Sequence, residues 1–184
     1  MKWVFKVKTN PDGSTRYKAR LVVKGYRQVE GINFKETYAP VSRPASLHAL
    51  HAFASINGWS CDYMDVVTAF LHPKIDQPNV LMNLPELHSL GDLSEYDLAS
   101  DTSRNQVVRL QKALYGLKQL LRLWHRKIDS FLLSLGFSQS LAEPNLYLMS
   151  NVMVLLYIVD LQLFFNLQEK VQIEEVKRRL KEKY

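Results

Sequence analysis

Trp3, Phe5 and Val7 alternate with Lys6 and Lys8 at the start of the chain, a period of two that predicts a β-strand. Asn10-Pro11-Asp12-Gly13 is a turn signal, and a return strand is expected from Thr15 to Lys24, so residues 3–24 read as a hairpin. On the return strand Arg16, Lys18, Arg20 and Lys24 share one face, and Tyr17, Ala19, Leu21 and Val23 share the other. Residues 25–43, punctuated by Gly25, Gly31 and Pro40, predict an irregular connection. From Pro44 to about Asn57 the spacing of Leu47, Leu50 and Phe53/Ala54 predicts a helix that opens on proline and stops at Gly58. Trp59–Asp65 follows as a short strand. The 72–106 stretch holds Pro73, Pro78, Pro85 and Gly91, and its polar, acidic latter part, near 86–106, reads as a surface insertion.

The strongest helical pattern runs from Leu117 to Leu135, where Leu117, Leu120, Leu121, Trp124, Ile128, Phe131 and Leu132 keep helical spacing up to Gly136. Extended segments are expected near Asn145–Met149, Val152–Val159 and Gln162–Phe165. A last helix begins near Gln168 and presents Ile173, Val176, Leu180 and Tyr184 along one side. The order β-β-α-β-α-β-β-α defines an α+β fold. That last helix reaches Tyr184 without a closing cap, so the domain is expected to continue beyond it.

With 184 residues, 47% hydrophobic and 23% charged, the chain is expected to fold as one sizeable domain or a piece of a larger one. The net charge of +6 suits a polyanionic partner. Cys61 is the single cysteine, which excludes an internal disulfide and a cysteine-rich zinc site, argues against a disulfide-linked partner and favours a reducing compartment. The longest apolar run, Val152–Val159, has eight residues, whereas a membrane span needs about 20. The lysine-alternating N-terminus lacks a secretory core. No membrane association and an intracellular setting are expected.

Candidate chemistry centres on two strand-end carboxylates. Asp65 closes the predicted Trp59–Asp65 strand, and Phe70 follows five residues later; Asp160 ends the apolar run Leu155-Leu156-Tyr157-Ile158-Val159. Phosphoryl transfer from a nucleoside triphosphate uses divalent ions roughly 4 Å apart, held by carboxylates that converge from different strands. Asp65 and Asp160 fit that requirement, although each alone is also an ordinary strand-end aspartate. Phe70, pressed against a sugar edge, would exclude a 2′-hydroxyl; taken alone it reads more readily as a core ring between Ala69 and Leu71. The Arg16, Lys18, Arg20 and Lys24 face suits a triphosphate or a template backbone, or simply solvent. Gly116, at the mouth of the long helix, allows close approach of a base or marks a plain turn. Trp124 belongs to the core stripe. His48 and His51 have no acid or cysteine at metal-ligand spacing, and Ser42, Ser46 and Ser55 have no paired base, so hydrolase chemistry has little support.

The string of motifs resembles the reverse transcriptase domain of copia-type retrotransposon Pol polyproteins. The residues that carry the likeness are Trp3-Val4-Phe5-Lys6, Tyr17 through Gly25, Glu36-Thr37-Tyr38-Ala39-Pro40-Val41, Met64-Asp65-Val66-Val67-Thr68-Ala69-Phe70-Leu71, Lys112-Ala113-Leu114-Tyr115-Gly116-Leu117-Lys118-Gln119, and Ser134-Leu135-Gly136-Phe137. The resemblance covers nearly all of 1–184 and implies the fingers and palm of a right-hand polymerase without its thumb, with about 1–58 mainly fingers and 59–184 mainly palm. It implies Asp65 and Asp160 as catalytic, metal-binding residues for two Mg²⁺ ions. Lys18, Arg20, Phe70, Gly116 and Gln119 would bind nucleotide, with Tyr115 beside them at the template. An RNA template, a DNA primer and deoxynucleoside triphosphates are the implied partners, in the cytoplasm and, for an intact element, in a virus-like particle.

Two departures within the motifs bear on activity. The family's Tyr-x-Asp-Asp turn stands here as Tyr157-Ile158-Val159-Asp160, or, shifted by one residue, has Leu161 in place of an acid. Either way one carboxylate is missing, which predicts weak or absent catalysis and leaves a non-catalytic nucleic-acid-binding remnant or an inert relic as alternatives. Where the family has Ala-Pro after Gln119, this chain has Leu120-Leu121, which is expected to lengthen the helix and crowd the nucleotide site.

Overall fold

The computed structural model describes residues 1–77, 80–83 and 107–184. The expected insertion near 86–106 lies outside the described residues. The chain divides into two compact units, one of 1–37 with 73–120 and one of 38–72 with 121–184. The helix expected at Pro44 packs onto the strands that follow it and so belongs with them.

In the first unit the hairpin forms from β1 (Lys2–Thr9) and β2 (Thr15–Val22), paired antiparallel from Lys2↔Val22 to Thr9↔Thr15. Asp12 Oδ1 accepts from the Ser14 amide at 2.9 Å and its hydroxyl at 2.6 Å, and Gly13 takes φ +81°, so the turn chemistry read from Asn-Pro-Asp-Gly is present. The apolar side is not buried: Phe5 is 62% and Tyr17 80% exposed. A second ribbon, β4 (Leu81–Asn83) with β5 (Val107–Arg109), escapes sequence reading because three-residue strands are too short to show a period.

The second unit is built on an antiparallel sheet of β3 (Ser60–Asp65), β6 (Ser138–Gln139), β7 (Leu146–Met149), β8 (Val152–Tyr157) and β9 (Asp160–Phe165), in the spatial order β3-β9-β8-β7-β6. Alternation assigns its two faces. Leu161, Leu163 and Phe165 of β9, with Val152, Val154 and Leu156 of β8, join Trp124, Ile128 and Leu132 of α2 (Leu120–Ser134) and Ile173, Val176 and Leu180 of α3 (Lys170–Lys183) in the main core. The opposite face buries Leu155 and Phe164 against Leu50 and Ala54 of α1 (Pro44–Ile56). At the N-terminus of α1 the buried Glu143 accepts from the Ser46 hydroxyl at 2.7 Å and the Arg43 amide at 3.2 Å. The helix is capped by a distant carboxylate, since its own N-cap residue Arg43 supplies no side-chain cap.

The helix α2 starts at Leu120, three residues later than the apolar spacing suggests. Gly116 takes φ +90°, the Lys118 amide donates to Gln28 Oε1 at 2.8 Å and Gln119 Nε2 donates to the Asn33 carbonyl at 3.1 Å, so the residues before Leu120 are tied to other segments of the hairpin unit. Leu120 and Leu121 are the first two residues of the helix.

Candidate functional site

The strand β3 ends at Asp65 and β9 begins at Asp160, and the two are direct partners in the antiparallel register. Side chains so placed have Cβ atoms about 5 Å apart. The sheet unit thus brings together carboxylates 95 positions apart in the chain. Because every second residue points the same way, Tyr63, Asp65, Asp160 and Gln162 share a face, as does Tyr157, the partner of Asp160 on β8. The covering helix α1 reaches this face further along, where His51 Nε2 lies 3.0 Å from Gln162 Oε1 and its ring meets Phe164 edge-on at 5.1 Å. The acidic end beyond it is open: Asp65 and Tyr63 are both exposed. Interaction with the neighbouring Asp160 carboxylate, then some desolvation and the charges of Asp160 and Asp65, push the Tyr63 phenol up to about 12.

Ile158 and Val159 form the two-residue turn between β8 and β9. Ile158 sits at φ +58°, a left-handed conformation costly for a β-branched residue. The indole N–H of the fully buried Trp124 donates to the Ile158 carbonyl at 2.7 Å, and the Val66 amide donates to the Val159 carbonyl at 3.3 Å. The Val159 side chain packs against the main core. Just after β3, a short 3-10 turn at Ala69–Leu71 carries Phe70, whose ring is half-buried against the same core. Among the described residues no group of three or more His, Cys, Asp or Glu side chains could hold a metal ion.

The other expected site residues lie in the hairpin unit. Lys18 faces Lys6 directly, Arg16 faces Lys8 and Arg20 faces Val4, so one side of the ribbon is a field of like charge. Arg20, then partial desolvation, then Lys8, Arg16 and Lys6 hold the Lys18 ammonium below its ordinary pKa. The Arg20 guanidinium lies 5.5 Å above the Tyr115 ring.

Gly116 and Gln119 are engaged within their own unit. A Cβ on Gly116 would fall 2.3 Å from the Val23 carbonyl oxygen, and one on Gly25 would fall 1.9 Å from the Gly116 oxygen. The Val23 amide donates to the Tyr115 carbonyl at 2.7 Å. The close approach that glycine permits here is to the chain's own backbone. Gln119 is buried; its Oε1 accepts from Gln28 Nε2 at 3.0 Å and its Nε2 donates to the Asn33 carbonyl at 3.1 Å. Gln28 Oε1 accepts in turn from the Lys118 amide at 2.8 Å. The Gln119 side chain therefore clamps two segments of the hairpin unit.

Three participants escaped the sequence reading. Tyr63 could have been found, since two residues before Asp65 on a strand is the same face. Trp124 was legible as core, but a buried indole N–H also needs an acceptor, and which one only the fold shows. Gln28 carried no signal.

Known proteins agree with this architecture of motifs. The family model described as reverse transcriptase (RNA-dependent DNA polymerase) matches residues 1–184, and the chain belongs to that family. More narrowly, it is a reverse transcriptase domain of the kind found in copia-type transposon Pol polyproteins. It is 37% identical over 164 residues to the retrovirus-related Pol polyprotein from transposon TNT 1-94 of Nicotiana tabacum, covering 86% of this chain and 12% of that protein. Against the Pol polyprotein from transposon RE2 of Arabidopsis thaliana it is 35% identical over 165 residues, 87% of this chain and 11% of that one. A 50-residue stretch is 56% identical to the uncharacterized mitochondrial protein AtMg00820 of Arabidopsis thaliana, covering 27% of this chain and 29% of that protein. The chain thus spans about an eighth of the transposon polyproteins it matches. No solved structure matches it. Among the described residues no helix is long and apolar enough to cross a membrane.

Proposed function

We propose that this chain is an RNA-directed DNA polymerase domain, with the fingers and palm of that fold, whose nucleotidyl transfer onto a primer 3′-hydroxyl is impaired by the loss of one acid. The observation that carries the reading is the direct pairing of Asp65 with Asp160 at the open end of the sheet. Two facing carboxylates offer the oxygen ligands a hard cation prefers and fit one Mg²⁺ ion completed by water. They do not fit the two ions of the intact family, because Val159 brings an aliphatic side chain to the turn. Bound Mg²⁺ would supply neutralisation of charge at the reacting phosphate. The chain's own residues would do the rest: Lys18 and Arg20 draw in triphosphate or template phosphates, and Phe70 screens the sugar. Gly116 and Gln119 act by holding the loop that borders the nucleotide. The partners are an RNA template, a DNA primer and deoxynucleoside triphosphates, and the setting is the cytoplasm.

Primer extension on an RNA template with Mg²⁺, by the native chain and by Val159→Asp, tests this reading. Losing charge stabilisation at the reacting centre is worth roughly 10³-fold or more in rate, so the variant should exceed the native chain by that order. Because Val159 packs on the core, circular dichroism must show that the variant is folded, and Mn²⁺ binding gives a readout independent of turnover. Extension by the native chain equal to that of the folded variant would refute the impairment. Neither protein extending a primer, while both bind heteroduplex with a steep salt dependence, would turn the assignment into a binding remnant.

A further inference from the structure

We propose that Trp124 is a positioning residue that fixes the Ile158-Val159 turn, and through it the placement of Asp160 against Asp65; its catalytic meaning rests on the polymerase reading above. Ile158 adopts a left-handed backbone at φ +58° without being glycine. Such a conformation persists only where the surroundings over-determine it. Here the surroundings are specific. The Trp124 indole N–H, wholly removed from solvent, donates to the Ile158 carbonyl at 2.7 Å. The adjoining Val159 carbonyl accepts from Val66, the residue that follows Asp65.

The indole cannot drift, because its ring is gripped edge-on by Tyr184 at 5.4 Å. Tyr184 is itself packed edge-on against Phe131 at 5.6 Å and His72 at 5.2 Å. A donor held by the core of the sheet unit thus ties down a strained tip, and Asp160 begins its strand two residues past the tied carbonyl. An ordinary core tryptophan would stabilise the whole unit evenly. This one has a directional bond to the one backbone position in the turn that most needs it.

Trp124→Phe keeps an aromatic ring and removes the N–H. If that variant fails to fold, benzothienylalanine at position 124 keeps the indole outline and deletes only the donor. Backbone amide exchange is followed at Val159 and Asp160 and, as a reference, at Leu163 and Phe165. One hydrogen bond is worth roughly a tenfold change in a local opening equilibrium. Exchange at Val159 and Asp160 should therefore rise about tenfold relative to the reference amides. In an Ile158→Gly background, where the left-handed conformation costs nothing, the same replacement should change that ratio by less than about threefold.

An even rise across the sheet, or no rise at the turn, would overturn the proposal, as would an undiminished effect in the Ile158→Gly background. Mn²⁺ affinity of the full chain is measured alongside and should weaken several-fold when the donor is removed. A turn-specific exchange effect without Mn²⁺ binding in any variant would leave the anchor standing and sink the polymerase reading; Mn²⁺ binding that is indifferent to the donor would sink the anchor's role in placing Asp160.

Discussion

In the sheet unit, Asp65 and Asp160 face each other at the open end of β3 and β9, with Tyr63 on the same face and Val159 in the adjoining turn packed on the core. In the hairpin unit, the groups nearest the expected nucleotide contacts are satisfied internally. Gly25 and Gly116 pack backbone on backbone, and Gln28 and Gln119 exchange hydrogen bonds. The sheet unit leaves its acidic strand end open to solvent. The hairpin unit has a clamp of two glycines with no room for a Cβ and two glutamines joined by a hydrogen bond. A substitution at the exposed acidic end should therefore disturb stability less than one at the clamp.

The largest effect should come from the clamp. Gly116→Ala puts a Cβ 2.3 Å from a backbone oxygen at a left-handed position, and a loss of roughly 3 kcal/mol or more is expected. Urea denaturation together with limited proteolysis should show the hairpin unit opening first. If the sheet unit melts with it at the same midpoint, the two units are not separable in stability. Gln119→Ala comes next: it strands the Gln28 amide and the Asn33 carbonyl, at about 1–3 kcal/mol, and Gln119→Glu should not rescue it, since a carboxylate cannot donate to the Asn33 carbonyl.

The buried cap of α1 gives the sheet unit a pH dependence. Burial pushes the Glu143 carboxyl up, but the Ser46 hydroxyl, the Arg43 and Asn145 amides and the Arg43 charge together hold it below its ordinary value. With the folded pKa depressed, this carboxylate contributes stability that is present above the unfolded value of about 4.5 and lost as pH falls through the folded pKa. Glu143→Gln should lower the denaturation midpoint at pH 7 and flatten its acid dependence; an unchanged slope below pH 5 would remove Glu143 as the cause.

The smallest effect on stability is expected at Tyr63. This side chain is 62% exposed, and Tyr63→Phe should change stability by less than about 0.5 kcal/mol. It removes a phenol hydroxyl that interacts with the Asp160 carboxylate, so Mn²⁺ affinity should rise or hold. A fall in affinity would show that the phenol helps to orient the carboxylate instead of competing for it.

Much of the architecture was legible in the chain itself, because local periodicity reports on burial: the hairpin, α1, the strand ending at Asp65, and the core stripe of α2 all follow from spacing. The motif strings were enough to place the chain in its family, and the valine in the acidic turn is visible without any coordinates. Only the tertiary structure decided what meets what. That Asp65 stands directly opposite Asp160 depends on register across strands distant in sequence. The start of α2 at Leu120, the enclosure of Gln119, the seating of Val23 against Gly116 and the hold of Trp124 on Ile158 are contacts between segments far apart along the chain. Sequence spacing records which face a residue occupies; it does not record which distant atom comes to fill the space before it.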